Sequence, residues 1–185
     1  MSNILTVPTF ELKAFLTLSK GKPTNTSVRT LYSPCGRCLL VDISGKRVQL
    51  THTNQVWFVR RRAYDFDVSR TAEGYYVLDL AAIAALDLSL RNKLTALDLD
   101  SLTATFVADD YLKDVDFSIL CQKHKQGKHA DGSTFDLGYL QAVTHYFKDA
   151  KCSRVNVTYP QQAFEPLQWD YGVGDYAALL MPIRR

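Results

Sequence analysis

Hydrophobic and polar positions change period several times along this chain. Residues 9–20 repeat at helical spacing, with Leu12, Phe15, Leu16 and Ser19 on one face and Lys13, Thr17 and Lys20 on the other. Gly21 and Pro23 end that helix, and 24–27 is polar loop. From 28 to 76 the pattern is strand-like. An apolar run at 38–43, a tight turn at Ser44-Gly45-Lys46 and the alternating stretch 47–51 predict a hairpin. A further strand is predicted at 56–59, with Arg60-Arg61-Arg62 following it as a solvated basic cluster. A short strand at 75–77 leads to Asp79, a helix N-cap, and a short helix carrying Leu80, Ile83, Ala84 and Leu86.

Residues 94–99 and 102–107 read as two strands joined by a turn at Asp100-Ser101. The acidic stretch 109–116 reads as loop, 117–121 as strand and 124–133 as a polar loop. A second clear helix is predicted at 134–149, with Ser133 and Asp136 resembling a capping box. Leu140, Val143 and Phe147 line one of its faces, and Gln141, His145 and Lys148 the other. Strands at 154–158, 166–169 and 176–181 complete the pattern.

A helix followed by several antiparallel strands thus recurs about three times, an arrangement that predicts an α+β fold with amphipathic helices on one face of antiparallel sheets. At 185 residues the chain is one large domain or two small ones, and the order of elements suggests a division into 1–108 and 109–185. The apolar strand near the C-terminus runs into Met181-Pro182-Ile183-Arg184. Chain ends fray unless something ties them down, so a tail this apolar is expected to dock on the body.

Composition narrows the chemistry. With 46% hydrophobic and 22% charged residues, the chain can bury an ordinary core. No run of about 18 apolar residues exists, so no membrane span is expected. The first residues lack both a basic start and a long apolar segment, which predicts a cytoplasmic protein without a signal peptide. A net charge of +3 is not the electrostatic footprint of a tight, autonomous DNA binder.

Cys35 and Cys38 form a C-x-x-C, and Cys121 with His124 a C-x-x-H with His129 close behind. They read either as a zinc set or as reduced thiols on strands. A thioredoxin-like site is disfavoured because Cys38 leads into a strand. No P-loop, G-x-S-x-G or H-E-x-x-H is present, so no enzyme and no catalytic residue is expected. The Asp-x-Asp pairs at 65/67, 98/100 and 114/116 read as solvent-facing positions or, as the rival, Mg²⁺ ligands.

The last third of the chain carries a family likeness. Phe135-Asp136-Leu137-Gly138-Tyr139-Leu140, then Arg154-Val155-Asn156-Val157-Thr158, Pro166-Leu167-Gln168-Trp169 and the tail from Tyr176 to Arg184 resemble the final helix and closing strands of the bacterial-type DNA sliding clamp. A second match runs from Cys38 to Leu86, where Thr53-Asn54 stands in place of a Thr-Asp pair. The residues that follow, Gln55-Val56-Trp57, depart from the family's Gly-His-Arg pattern, and a bacterial clamp subunit has three domains, more than this chain has room for.

The resemblance implies a DNA-clamp-like fold and a non-enzymatic processivity factor without a cofactor. Its implied partners are double-stranded DNA, a DNA polymerase or other client docking through a short linear peptide, and further copies of the chain in a homo-oligomeric ring. It places a peptide groove at Leu179, Leu180, Met181, Pro182, Ile183 and Arg184 with Thr53 and Asn54. Non-specific DNA contacts would fall on Lys13, Lys20, Lys22, His145, Lys148 and Lys151. Two other readings remain: a phage or mobile-element adaptor or inhibitor that uses the fold without encircling DNA, and a zinc-stabilised nucleic-acid-binding module.

Overall fold

A computed structural model describes residues 3–20, 34–54, 56–89, 92–105, 135–160, 165–172 and 175–182, without the side chains of Pro34 and Cys35. In chain order the elements are β1 (Ile4–Pro8), α1 (Thr9–Ser19), a 3-10 turn (Pro34–Arg37), β2 (Cys38–Ser44), β3 (Arg47–Thr53), β4 (Trp57–Ala63), β5 (Asp67–Arg70), β6 (Gly74–Asp79), α2 (Leu80–Ala84), β7 (Leu94–Asp98), α3 (Leu137–Asp149), β8 (Asn156–Thr158), β9 (Leu167–Tyr171) and β10 (Tyr176–Leu180). Every pairing between strands is antiparallel. The strands form a three-stranded sheet, β5-β1-β7, and a seven-stranded sheet, β6-β2-β3-β4-β10-β9-β8. This is the expected α+β architecture.

The helices cover the sheets by their apolar faces. α1 buries Leu12, Ala14, Phe15 and Leu18, while α3 buries Tyr139, Ala142, Val143, Tyr146 and Phe147. The Phe15 and Tyr146 rings meet at 5.1 Å, and Tyr139 meets the β4 residue Trp57 edge-on at 4.8 Å. Aromatic pairs at these separations add to the area they bury. One buried cluster draws on both halves of the chain, from Leu5 and Leu12 to Trp169 and Leu180. The proposed 108/109 division itself lies outside the described residues. Among the described residues no helix is long and apolar enough to cross a membrane.

Several local expectations need correction. β1 was not expected: its signal is two apolar positions, Leu5 and Val7, ending at Pro8, too short a period to read. β4 runs on to Ala63, so the three arginines lie inside a strand and not after it. Two flanking strands, β3 and β10, hold them there, and alternation along the strand carries Arg61 inward. Residues 102–104 do not form the predicted strand. They cover the edge of β6 through one bridge, Leu78 to Thr103, and through hydrogen bonds from Asp79 N to Leu102 O and from Ala104 N to Val77 O. α3 starts at Leu137, and its cap is Asp136, whose Oδ1 accepts from Gly138 N at 2.8 Å and Tyr139 N at 3.2 Å. Asp79 caps α2 as expected, accepting from Ala81 N at 2.8 Å. The elements expected at 109–133 lie outside the described residues.

Candidate functional site

The last strand is not an edge. β10 lies between β4 and β9, with Leu180 opposite Trp57 on one side and Leu167 on the other. All five of its residues are buried. Successive side chains of a strand point to opposite faces, so Leu180 enters the main core while Leu179 packs with Ala177 and Phe58 on the far face. Both leucines are core residues in this arrangement. The chain stays attached beyond the strand, since Met181 N donates to Val56 O at 2.7 Å, and Met181 and Pro182 are half-buried. Ile183 and Arg184 lie outside the described residues.

That hydrogen bond sets the tail against the turn joining β3 to β4. Thr53 Oγ1 donates to Trp57 O at 2.9 Å, and Asn54 Oδ1 accepts from Val56 N and Trp57 N, both at 3.0 Å. A side-chain oxygen bonding the backbone two and three residues on is how Asn stabilises a turn. Thr53 and Asn54 are both buried. The 3-10 turn packs underneath, where a Cβ added to Gly36 would lie 3.3 Å from Asn54 Cβ. Thr53, Asn54 and Val56 therefore meet Met181, far away in sequence, at one end of β4 and β10.

Two buried polar groups flank β4, His52 beside Trp57 near this ledge and Glu11 beside Arg61 at the other end of the strand. His52 is fully buried, with Nδ1 3.2 Å from Cys38 O and its ring edge-on to Trp57. Burial pushes its pKa down to about 4, and the contact with the Cys38 carbonyl opposes this in part. Glu11, on the buried face of α1, accepts from Arg61 Nε at 2.8 Å and from Tyr176 Oη at 2.6 Å. The arginine side chain is 12% exposed, so it is not a solvated charge. Sequence reading missed this cluster; a glutamate interrupting the apolar face of α1 was the available signal.

The outer surface of the helix pair is basic. Phe10 lies under Lys151 Nζ at 4.3 Å, and Phe15 meets Tyr146, so α1 and α3 run antiparallel. That register sets Lys13 level with Lys148. Lys20, His145, Lys148 and Lys151 are exposed and Lys13 is half-buried. Within the two helices the acidic residues are Glu11, which is buried, and Asp149, which is half-buried. Lys22 lies outside the described residues.

Known structures resemble the whole arrangement. The chain superposes on the DNA polymerase III beta subunit of Thermotoga maritima with a TM-score of 0.63 at 11% identity, over 98% of this chain and 65% of that one. The fold is that of a DNA clamp. The sliding clamp of Bacillus subtilis gives a TM-score of 0.55 at 10% identity over 100% of this chain and 65% of that one. The beta chain from Streptococcus pneumoniae gives 0.53 at 12% over 100% and 66%. This chain thus spans about two thirds of the length of the clamp chains it matches. No protein-family model and no curated protein matches the sequence.

Within this clamp fold the other candidates separate. Among the described residues no group of three or more His, Cys, Asp or Glu side chains is placed to hold a metal. Cys38 is buried with Leu40, Val77 and Ala104. The Cys35 thiol, Cys121, His124 and His129 lie outside the described residues. Asp67 accepts from Ser69 N, and Asp98 accepts from Asp100 N and Ser101 N, so these carboxylates shape turns. Asp114 and Asp116 lie outside the described residues.

Proposed function

We propose that this chain is a clamp-like, non-enzymatic DNA-associated protein that docks client proteins through a short linear peptide. The observation that carries the reading is the Met181 N to Val56 O hydrogen bond, which sets the half-buried Met181 and Pro182 beside the Thr53-Asn54 turn in a clamp fold. An apolar ledge of this kind suits leucine and aromatic anchors, and a methionine thioether adapts to varied partners. Leu179 and Leu180 would support the groove from within; Ile183 and Arg184 belong to the proposed groove by the family resemblance alone. DNA would lie along the helix pair, held by Lys13, Lys20, Lys22, His145, Lys148 and Lys151 through phosphate contacts that carry no sequence information. A net charge of +3 makes this hold weak and salt-sensitive, as sliding requires.

In the leading form, several copies close a ring around double-stranded DNA. Retention on nicked circular plasmid, read by gel filtration, is the test. A ring is retained and is released when the circle is cut, and its native mass corresponds to several copies. Changing Lys13, Lys20 and Lys148 to Glu should abolish retention without changing that mass. Retention that survives the triple change would remove the helix pair from the DNA interface.

The net charge of only +3, well short of a tight DNA binder's footprint, favours a second reading. In it, the protein is a monomeric adaptor or inhibitor that presents a clamp-like groove without encircling DNA. A monomeric native mass, no retention on circles and intact binding of a clamp-client peptide would select it.

A further inference from the structure

Two helix-to-strand steps of the same kind occur in this fold, from α2 into β7 and from α3 into β8. β7 is paired with β1 along its whole length, from Ile4 opposite Asp98 to Pro8 opposite Leu94, and β1 sends Leu5 and Val7 into the core. β8 pairs with β9 on one side, and among the described residues no strand lies on its other side. Its residues Asn156, Val157 and Thr158 are all exposed, Val157 by 40%.

Beside that open edge is a cavity of about 610 Å³, a size typical of ligand sites. Phe147, Val155, Val157 and Trp169 supply apolar wall, and the exposed Lys148 and Lys151 also line it, Lys151 with its Nζ over the Phe10 ring. Val157 and Trp169 are directly opposite each other on β8 and β9, so both face the same way. Neither lysine forms an ion pair among the described residues. Lys151 has a φ of 61°, the left-handed conformation that favours glycine. It follows the end of α3, where Lys151 N bonds Lys148 O at 3.0 Å and Cys152 N bonds Phe147 O at 2.9 Å, the Schellman arrangement.

We propose that β8 accepts an extended segment of a partner protein as an additional strand. The segment's main chain would bond the open edge of β8, and one large apolar side chain would fill the cavity over Val157 and Trp169. A neighbouring carboxylate would pair with Lys148 and Lys151. Strand addition of this type takes its affinity from main-chain bonds and its selectivity from alternate side-chain pockets. The occupant is an alternately apolar, acidic peptide, because the wall is apolar and the unneutralised charges are positive. Those two lysines also belong to the proposed DNA face, so the test turns on Val157 and on the peptide backbone, which DNA does not use.

A fluorescein-labelled eight-residue peptide, alternating leucine with threonine and carrying two central glutamates, is titrated with the full chain without DNA. Saturable binding is expected. It should weaken at least tenfold on V157E, on placing one proline in the peptide, and on exchanging its glutamates for lysines. Amide exchange at 156–158 should slow when the peptide binds. The proline arm needs no protein variant, so it decides the matter even where V157E fails to fold. Absence of saturation, binding indifferent to the proline, or β8 amides already protected in the free chain would each overturn the proposal, the last by showing the edge covered by the chain itself.

Discussion

Tyr176, in the last strand, donates a 2.6 Å hydrogen bond to Glu11 Oε1 in the first helix, 165 positions away. The same oxygen accepts from Arg61 Nε, and the arginine's guanidinium carbon lies 4.3 Å from the centre of the Tyr176 ring. One carboxylate therefore ties α1, β4 and β10 together. Burial raises the pKa of Glu11, while the bonds from Tyr176 and Arg61 pull it back. Burial and then the nearby Glu11 carboxylate hold the Tyr176 hydroxyl above its ordinary range.

Removing one partner of this cluster should cost more than neutralising the other. R61M leaves a buried carboxylate unpaired, at about 3–5 kcal/mol, whereas E11Q leaves a neutral amide in its place and should cost less. In R61M the folded-state pKa of Glu11 stands well above its unfolded value, so the deficit is greatest at neutral pH and shrinks as pH falls toward that value. Urea unfolding of both variants at pH 7 and pH 5 checks this. An R61M deficit unchanged between the two would mean that losing Arg61 does not raise the Glu11 pKa, so the carboxylate stays ionised in the folded variant.

His52 supplies a pH dependence of the opposite sense. Its folded pKa of about 4 lies below the ordinary 6.5, so its contribution to stability is complete above about 6.5 and is lost as pH falls toward 4. A difference of about 2.5 in pKa, at about 1.4 kcal/mol for each pH unit, corresponds to a loss on the order of 3 kcal/mol. Comparing wild type with H52Q isolates it: the wild-type unfolding free energy should decline more steeply between pH 7 and pH 4. Parallel profiles would show that the imidazole titrates freely.

Backbone strain at Lys151 should be visible in a pair of substitutions. Both K151A and K151G lose the contact with Phe10, but only glycine relieves the left-handed φ. K151G should therefore be more stable than K151A by about 1 kcal/mol, measured by thermal or urea unfolding. Equal stabilities would argue against the Schellman conformation at the end of α3.

The tail offers a separation of folding from binding. Leu180 is fully buried, and L180A should cost about 2–5 kcal/mol. Met181 is half-buried beyond the strand, and M181A should cost no more than about 1 kcal/mol. In the proposed groove it should nonetheless weaken a clamp-client peptide by tenfold or more, read by anisotropy. If M181A loses stability and binding in proportion, the tail acts only as part of the core.

What could be read from the chain alone was local. The period of α1 and α3, the β2–β3 hairpin about Gly45, the Asp79 cap and the apolar last strand each depend on residues a few positions apart, where spacing and capping chemistry act directly. The order of those elements predicted an α+β fold, and the resemblance of the last third and of residues 38–86 to the sliding-clamp family implied the clamp-like one. Tertiary structure decided the rest, because it depends on partners distant in sequence. β10 became an interior strand only by finding β4, Arg61 turned inward only because Glu11 awaited it, and β1 formed only against β5 and β7. The candidate groove has the same origin: Thr53-Asn54 and Met181 carry no mutual signal in the chain, and one strand pairing across more than a hundred residues brings them together.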